Sequence, residues 1–164
     1  MDNRSKEFLK ELESEEKATK KCLERVPENL FKWKPHDRSM TMGNLALLIA
    51  DIPKWIQQIV ENDYIDFATY EHFEAKTTKE LVEHFDKNME FAKRALSNAS
   101  DESLNEIFSL KDHGKVLTSS PRSSEIMSAI NHLVQHRGQL TVYLRLNNIL
   151  VPSIYGPSAD EGTF

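Results

Sequence analysis

Apolar residues recur at helical spacing in four stretches of this chain, with charged residues filling the intervening faces. The first stretch runs from about Asn3 to Val26, with Phe8, Leu12, Thr19, Cys22, Leu23 and Val26 on its apolar side. Pro27 ends it, because a proline ring cannot continue a helix. The second opens at Thr41, whose hydroxyl suits a helix cap, and carries Leu45, Leu48, Ile49, Ile52, Trp55, Ile56 and Ile59. Pro53 inside it predicts a kink. The third runs from about Thr78 to Ser97, with Leu81, Phe85, Met89, Ala92 and Leu96 on one face, and the fourth from about Ser123 to Leu146. The connector "PENLFKWKPHDRSM" carries the anchors Leu30, Phe31 and Trp33. The tail, about 147–164, is loop-like, but Ile149, Val151, Ile154 and Tyr155 predict that it packs down. No stretch alternates convincingly at strand period, and "DHGKV" around Gly114 reads only as a turn. Four amphipathic helices with no sheet to cover them predict an all-α four-helix bundle forming a single domain over 1–164. Its expected core holds Leu45, Leu48, Ile52, Ile56, Leu81, Phe85, Leu133, Leu140 and Leu144.

Composition narrows the function classes. The chain has 164 residues, 39% of them hydrophobic and 29% charged, which suits one soluble domain with a real core. A formal charge of −5 opposes nonspecific binding to nucleic acid or to an acidic membrane surface. No local basic patch offsets it: Lys17, Lys20, Lys21 and Arg25 are interleaved with Glu15, Glu16 and Glu24. One cysteine, Cys22, allows neither an intrachain disulfide nor a multi-cysteine zinc site, and its place on an apolar face predicts an inert, buried thiol. The start "MDNRSKEFLKELE" has no apolar run and no stretch approaches a membrane span, so a cytoplasmic protein is expected.

The chemistry concentrates in the fourth helix. Taking Leu133 as the centre of its apolar arc and about 100° per residue, His136 falls near −60° and His132 near −100°. The pair therefore sits along one edge of the buried face, and the spacing of four lets two imidazoles converge on one cation. The competing reading is a pair of ordinary amphipathic residues with hydrogen-bonded tips. Two ligands are also too few for a zinc site, so a third donor must come from another helix. Arg137 falls at about +40°, inside the apolar arc, where a guanidinium needs a carboxylate partner from a neighbouring helix or subunit. Gly138 predicts close approach of another backbone, and Gln139 and Tyr143 flank the histidine edge as candidate supporting groups.

The segments "MTMGNLALLIADIPKW", "HLVQHRGQLTVYLRL" and "VPSIYGPSADE" together resemble the DinB/YfiT-like superfamily, in order and with similar spacing over most of the chain. The resemblance implies an up-down-down-up four-helix bundle, often a homodimer. It also implies a divalent metal, commonly nickel or zinc, held by three histidines. One comes from the second helix and two from an HxxxH in the fourth. Characterised relatives include thiol-dependent transferases and isomerases, many others have no known activity, and the family name refers to induction by DNA damage, which describes regulation and not DNA binding.

His132 and His136 match the HxxxH. The second-helix histidine does not carry over: where the family reads "LGELAxHIAxxPxW", this chain reads "MGNLALLIADIPKW", and Leu48 stands at the histidine position. Asp51, three residues on, is the candidate replacement, giving a two-histidine, one-carboxylate set; as an alternative it is a solvated helix-surface carboxylate. His36, His72, His84 and His113 are further candidates, His36 and His113 being the more movable because they lie in connectors, but each is expected at the surface. Two functions remain open: a non-catalytic, small-ligand-binding or stress-related relative with a degenerate site, or an interaction module, with metal weak or absent; or a divalent-metal-dependent, thiol-dependent transferase or hydrolase using His132 and His136.

Overall fold

The computed structural model describes residues 4–162. Five helices dominate it: α1 (Arg4–Glu24), α2 (Met42–Glu61), α3 (Thr78–Asn98), the one-turn α4 (Asp101–Leu104) and α5 (Arg122–Leu146). The four long helices match the four periodic stretches closely, although the expected start at Asn3 lies outside the described residues. Local chemistry sets their ends. Thr41 caps α2 by accepting a hydrogen bond from the Asn44 amide at 3.2 Å. Thr77 and Glu80 form a reciprocal capping box at the start of α3. The helix continues through Pro53, which is buried.

Packing follows the apolar faces. α2 lies against α3 and α5, and α1 lies against α3 and α5 on the other side. Leu45, Ile52, Ile56, Leu81, Phe85, Leu133, Leu140 and Leu144 are all buried where these faces meet. Leu48 is the exception among the expected core residues, being only partly covered. Ile149, Val151 and Ile154 bring the tail down onto the core as expected, while Tyr155 leaves most of its ring in solvent.

The all-α expectation needs correction. Three strands, β1 (Tyr64–Asp66), β2 (Ile107–Asp112) and β3 (Lys115–Pro121), form a small sheet in the order β1-β2-β3. β1 runs parallel to β2, with Ile65 opposite Leu110, and β2 and β3 form an antiparallel hairpin. "DHGKV" is indeed a turn, but one that joins two strands: His113 and Gly114 both take positive φ, 48° and 77°. Asp66 holds that turn by accepting from the backbone amides of His113 and Gly114 at 3.0 and 2.7 Å. These strands escape the hydrophobic pattern because β1 is three residues long and β3 is mostly exposed, which leaves no alternation to detect.

Two contacts set the frame around the site. Arg122, buried at the start of α5, donates to the carbonyls of Ile59, Val60 and Asn62 and pairs with Asp63 at 2.8 Å. It thereby satisfies the open carbonyl end of α2 and fixes α2 and α5 to each other. Gly43 lets the preceding connector lie on the first turn of α2, since a Cβ there would stand 3.0 Å from Phe31.

Candidate functional site

A cavity of about 550 Å³ opens between α2, α5 and the segment that includes β1 and the loop after it. That volume falls within the range of small-molecule sites. Helical spacing explains two of its walls. Asn44, Leu48, Asp51, Trp55 and Ile59 form one stripe of α2, and Glu125, Ser128, Ala129 and His132 form one stripe of α5. Ile65, Phe67, Tyr70 and Phe73 close the third side, and Leu110 reaches in from β2.

His132 lies in the cavity wall, and its ring centroid is 4.5 Å from that of His136 on the next turn. Burial, reinforced by the charge His136 carries when protonated, holds the His132 imidazole below its usual pKa and favours the neutral, lone-pair-bearing form. The Nδ1 of His136 is 2.7 Å from Oε1 of Gln139, so Gln139 does support the histidine edge as expected. Tyr143 does not. Its hydroxyl donates to the Met40 carbonyl at 3.2 Å and its ring packs edge-on against Trp33, which ties α5 to the first connector instead.

Asp51 is neither solvated nor free. It is only 7% exposed, and its Oδ1 lies 2.5 Å from Nε2 of His84 on α3. At that distance the imidazole N–H donates to the carboxylate. The amide of Asn88 donates to the Ala50 carbonyl at 2.9 Å, and Phe73 stacks flat on the His84 ring at 4.0 Å. His84 is thus not the surface histidine expected of it, whereas His36, His72 and His113 are exposed. Nearby, the Trp55 indole donates to the Tyr70 hydroxyl at 2.8 Å. Burial, and then the charge of Asp51, push the Tyr70 phenol well above its ordinary pKa, so it stays neutral.

Leu48, in the cavity wall, has no donor atom, and Asp51 already accepts from His84. Among the described residues no three His, Cys, Asp or Glu side chains are grouped to hold an ion. The structure therefore brings His132 and His136 together and puts Asp51 and His132 on one cavity, but it adds no third donor to the pair. Sequence reasoning named His84 only as a candidate expected at the surface, and it missed Tyr70 and Phe73. No spacing marks them, because His84 is 33 positions from Asp51, and Tyr70 and Phe73 lie in a segment without regular structure.

Arg137 resolves as a buried guanidinium with its partners inside the chain. It is 1% exposed, pairs with Glu15 of α1, donates to Thr19 at 3.1 Å and donates to the Tyr155 hydroxyl at 2.8 Å. Tyr155 in turn donates to Glu15 at 2.9 Å. Gly138 faces open space: among the described residues, apart from its chain neighbours and its own helix backbone, no atom would lie within 4 Å of a Cβ placed there. Cys22 is fully buried, and burial pushes its thiol up to about 11, in keeping with an inert role.

Comparison with known proteins agrees with this architecture. The model of the DinB family matches residues 1–163. The chain is 27% identical over 157 residues to the uncharacterized protein YrdA of Bacillus subtilis, covering 94% of this chain and 89% of that one. Among solved structures, a DinB-like protein of Bacillus subtilis, YjoA, superposes with a TM-score of 0.71 at 17% identity, covering 90% of this chain and 96% of that chain. A DinB-like protein of Bacillus cereus superposes with a TM-score of 0.70 at 25% identity, covering 90% and 95%. No helix among the described residues is long and apolar enough to cross a membrane. The chain belongs to the DinB family.

Proposed function

We propose that this chain is a small-molecule-binding member of the DinB family in which the metal site has degenerated and the cavity has been kept. The observation that carries this reading is Leu48. It stands at the position where the family resemblance places a histidine, and its side chain lines the same cavity as His132. A cation held by His132 and His136 alone would have to complete its shell with water, and two neutral imidazoles bind weakly without the geometric fixing of a closed ligand set. In this reading the four long helices keep the up-down-down-up order, His132 and His136 are polar wall groups, and the protein acts in the cytoplasm as a homodimer. The exposed apolar side chains of Met127, Val142 and Leu146 on α5, around the open Gly138, support the dimer, and sedimentation velocity at micromolar concentration tests it.

The alternative is a divalent-metal-dependent, thiol-dependent transferase or hydrolase. The close approach of the His132 and His136 rings favours it. Titration calorimetry with zinc and nickel separates the two. The native chain is expected to bind neither ion tightly, Leu48→His to gain tight one-to-one binding, and Leu48→His with His136→Ala to lose it again. Tight stoichiometric binding by the native chain overturns the degenerate-site reading.

A further inference from the structure

The cavity has a marked chemical bias. Its apolar wall includes the rings of Trp55, Phe67, Tyr70 and Phe73. Its titratable wall groups are the carboxyls of Asp51, Glu74 and Glu125, the phenol of Tyr70 and the imidazoles of His72 and His132, and among the described residues no lysine or arginine lines it. Asp51 is the most deeply placed of the carboxylates, buried and bound to a single imidazole N–H. An anionic ligand would face these carboxylates with no guanidinium or ammonium to meet it. A cation would meet negative charge together with electron-rich ring faces, a combination that recognises organic ammonium groups. The chain already shows the attraction at one of these rings: outside the cavity, Lys54 holds its ammonium 4.7 Å from the centre of the Tyr70 ring.

We propose that the cavity binds a protonated organic amine with an apolar tail, the ammonium lying toward Asp51 and the aromatic rings and the tail along Leu48, Ile59 and Ile65. This rests on the small-molecule reading above and narrows it to a ligand class. Carboxylate-bearing molecules of the same size, including acidic thiols, are disfavoured. Partial enclosure strengthens the preference, because the attraction between charges grows as the surrounding dielectric falls.

Three probes of equal tail length test it by calorimetry at neutral pH and low salt: n-octylamine, 1-octanol and octanoate. Octylamine is expected to bind about tenfold more tightly than octanol, the size of a partly desolvated cation–aromatic contact, and octanoate more weakly than both. Asp51→Asn, which keeps an oxygen for His84 to bond, should collapse the octylamine-to-octanol affinity ratio toward one. Glu74→Gln, on an exposed loop that tolerates the change, should reduce the same preference by a smaller factor and serves if Asp51→Asn fails to fold. Equal binding of octylamine and octanoate overturns the amine proposal and leaves the small-molecule reading standing. Failure of all three probes to bind overturns both.

Discussion

The two long polar clusters of this molecule differ in what surrounds them. On the α1 side, Arg137, Glu15, Thr19 and Tyr155 form a closed set in which donors and acceptors answer one another. On the α2 side, Asp51 has one imidazole partner and then borders an open cavity shared with His132. Both clusters hold a buried carboxylate. The first is what a buried ion pair needs in order to be tolerated, with the guanidinium and the carboxylate each met by protein groups. The second keeps polar capacity facing a space large enough for a ligand. The contrast separates a charge that fastens two helices and the tail from a charge available to recognise something.

The largest effect should come from breaking the closed set. Glu15→Ala leaves the Arg137 guanidinium buried without its anion, a change that costs about 3–5 kcal/mol in stability. Glu15→Leu combined with Arg137→Met should recover most of that loss, because two apolar groups replace two compensated charges. Tyr155→Phe should cost only about 1 kcal/mol, since the ring stays beside the guanidinium while the two hydrogen bonds of its hydroxyl are lost. Urea denaturation gives all of these differences. A Glu15→Ala variant as stable as the native chain would mean that the pair is not closed to solvent.

His84→Phe is the matching change on the cavity side, and the comparison predicts a smaller loss, about 1–2 kcal/mol. The new ring can keep the stack on Phe73, while Asp51 loses its N–H donor but can be hydrated from the cavity. The same denaturation experiment measures it. A loss equal to that of Glu15→Ala would erase the distinction between the clusters and place Asp51 in a sealed interior.

The two clusters also differ in how far the sequence discloses them. Arg137 announces itself, since a guanidinium within an apolar arc demands a carboxylate, and one was found on the neighbouring helix. The long helices and most of the core are equally plain because their residues repeat at a fixed period. Leu48 was visible as a departure from the family pattern, but its exposure to a cavity was not, because that depends on which side chains face it from α5 and β1. The sheet stayed hidden for want of alternation, and the His84 partner of Asp51 because the two are brought together by helix packing rather than by spacing. Gly138 is not answered within the chain: a glycine in a helix suggests a close neighbour, and among the described residues none approaches it.

The smallest expected effect is the response of the cavity to acid. The imidazole of His132 has a pKa held below its ordinary 6.5, first by burial and then by the neighbouring His136. The unfolded chain therefore binds more protons than the folded one between the depressed value and about 6.5, and stability rises with pH across that window. The associated stabilisation is fully present above about 6.5 and is lost as pH falls through the window toward the folded value. Because His132 is only partly buried and its cavity admits water, the slope should be shallow. Carboxylates elsewhere also respond to acid, so the informative quantity is the difference between the native chain and His132→Gln, each melted at pH ~7 and pH ~5. The native chain should lose more stability than the variant over that interval. Equal losses would show that His132 accepts a proton in the folded cavity as readily as in water, and that the cavity side of the molecule is more open than its walls suggest.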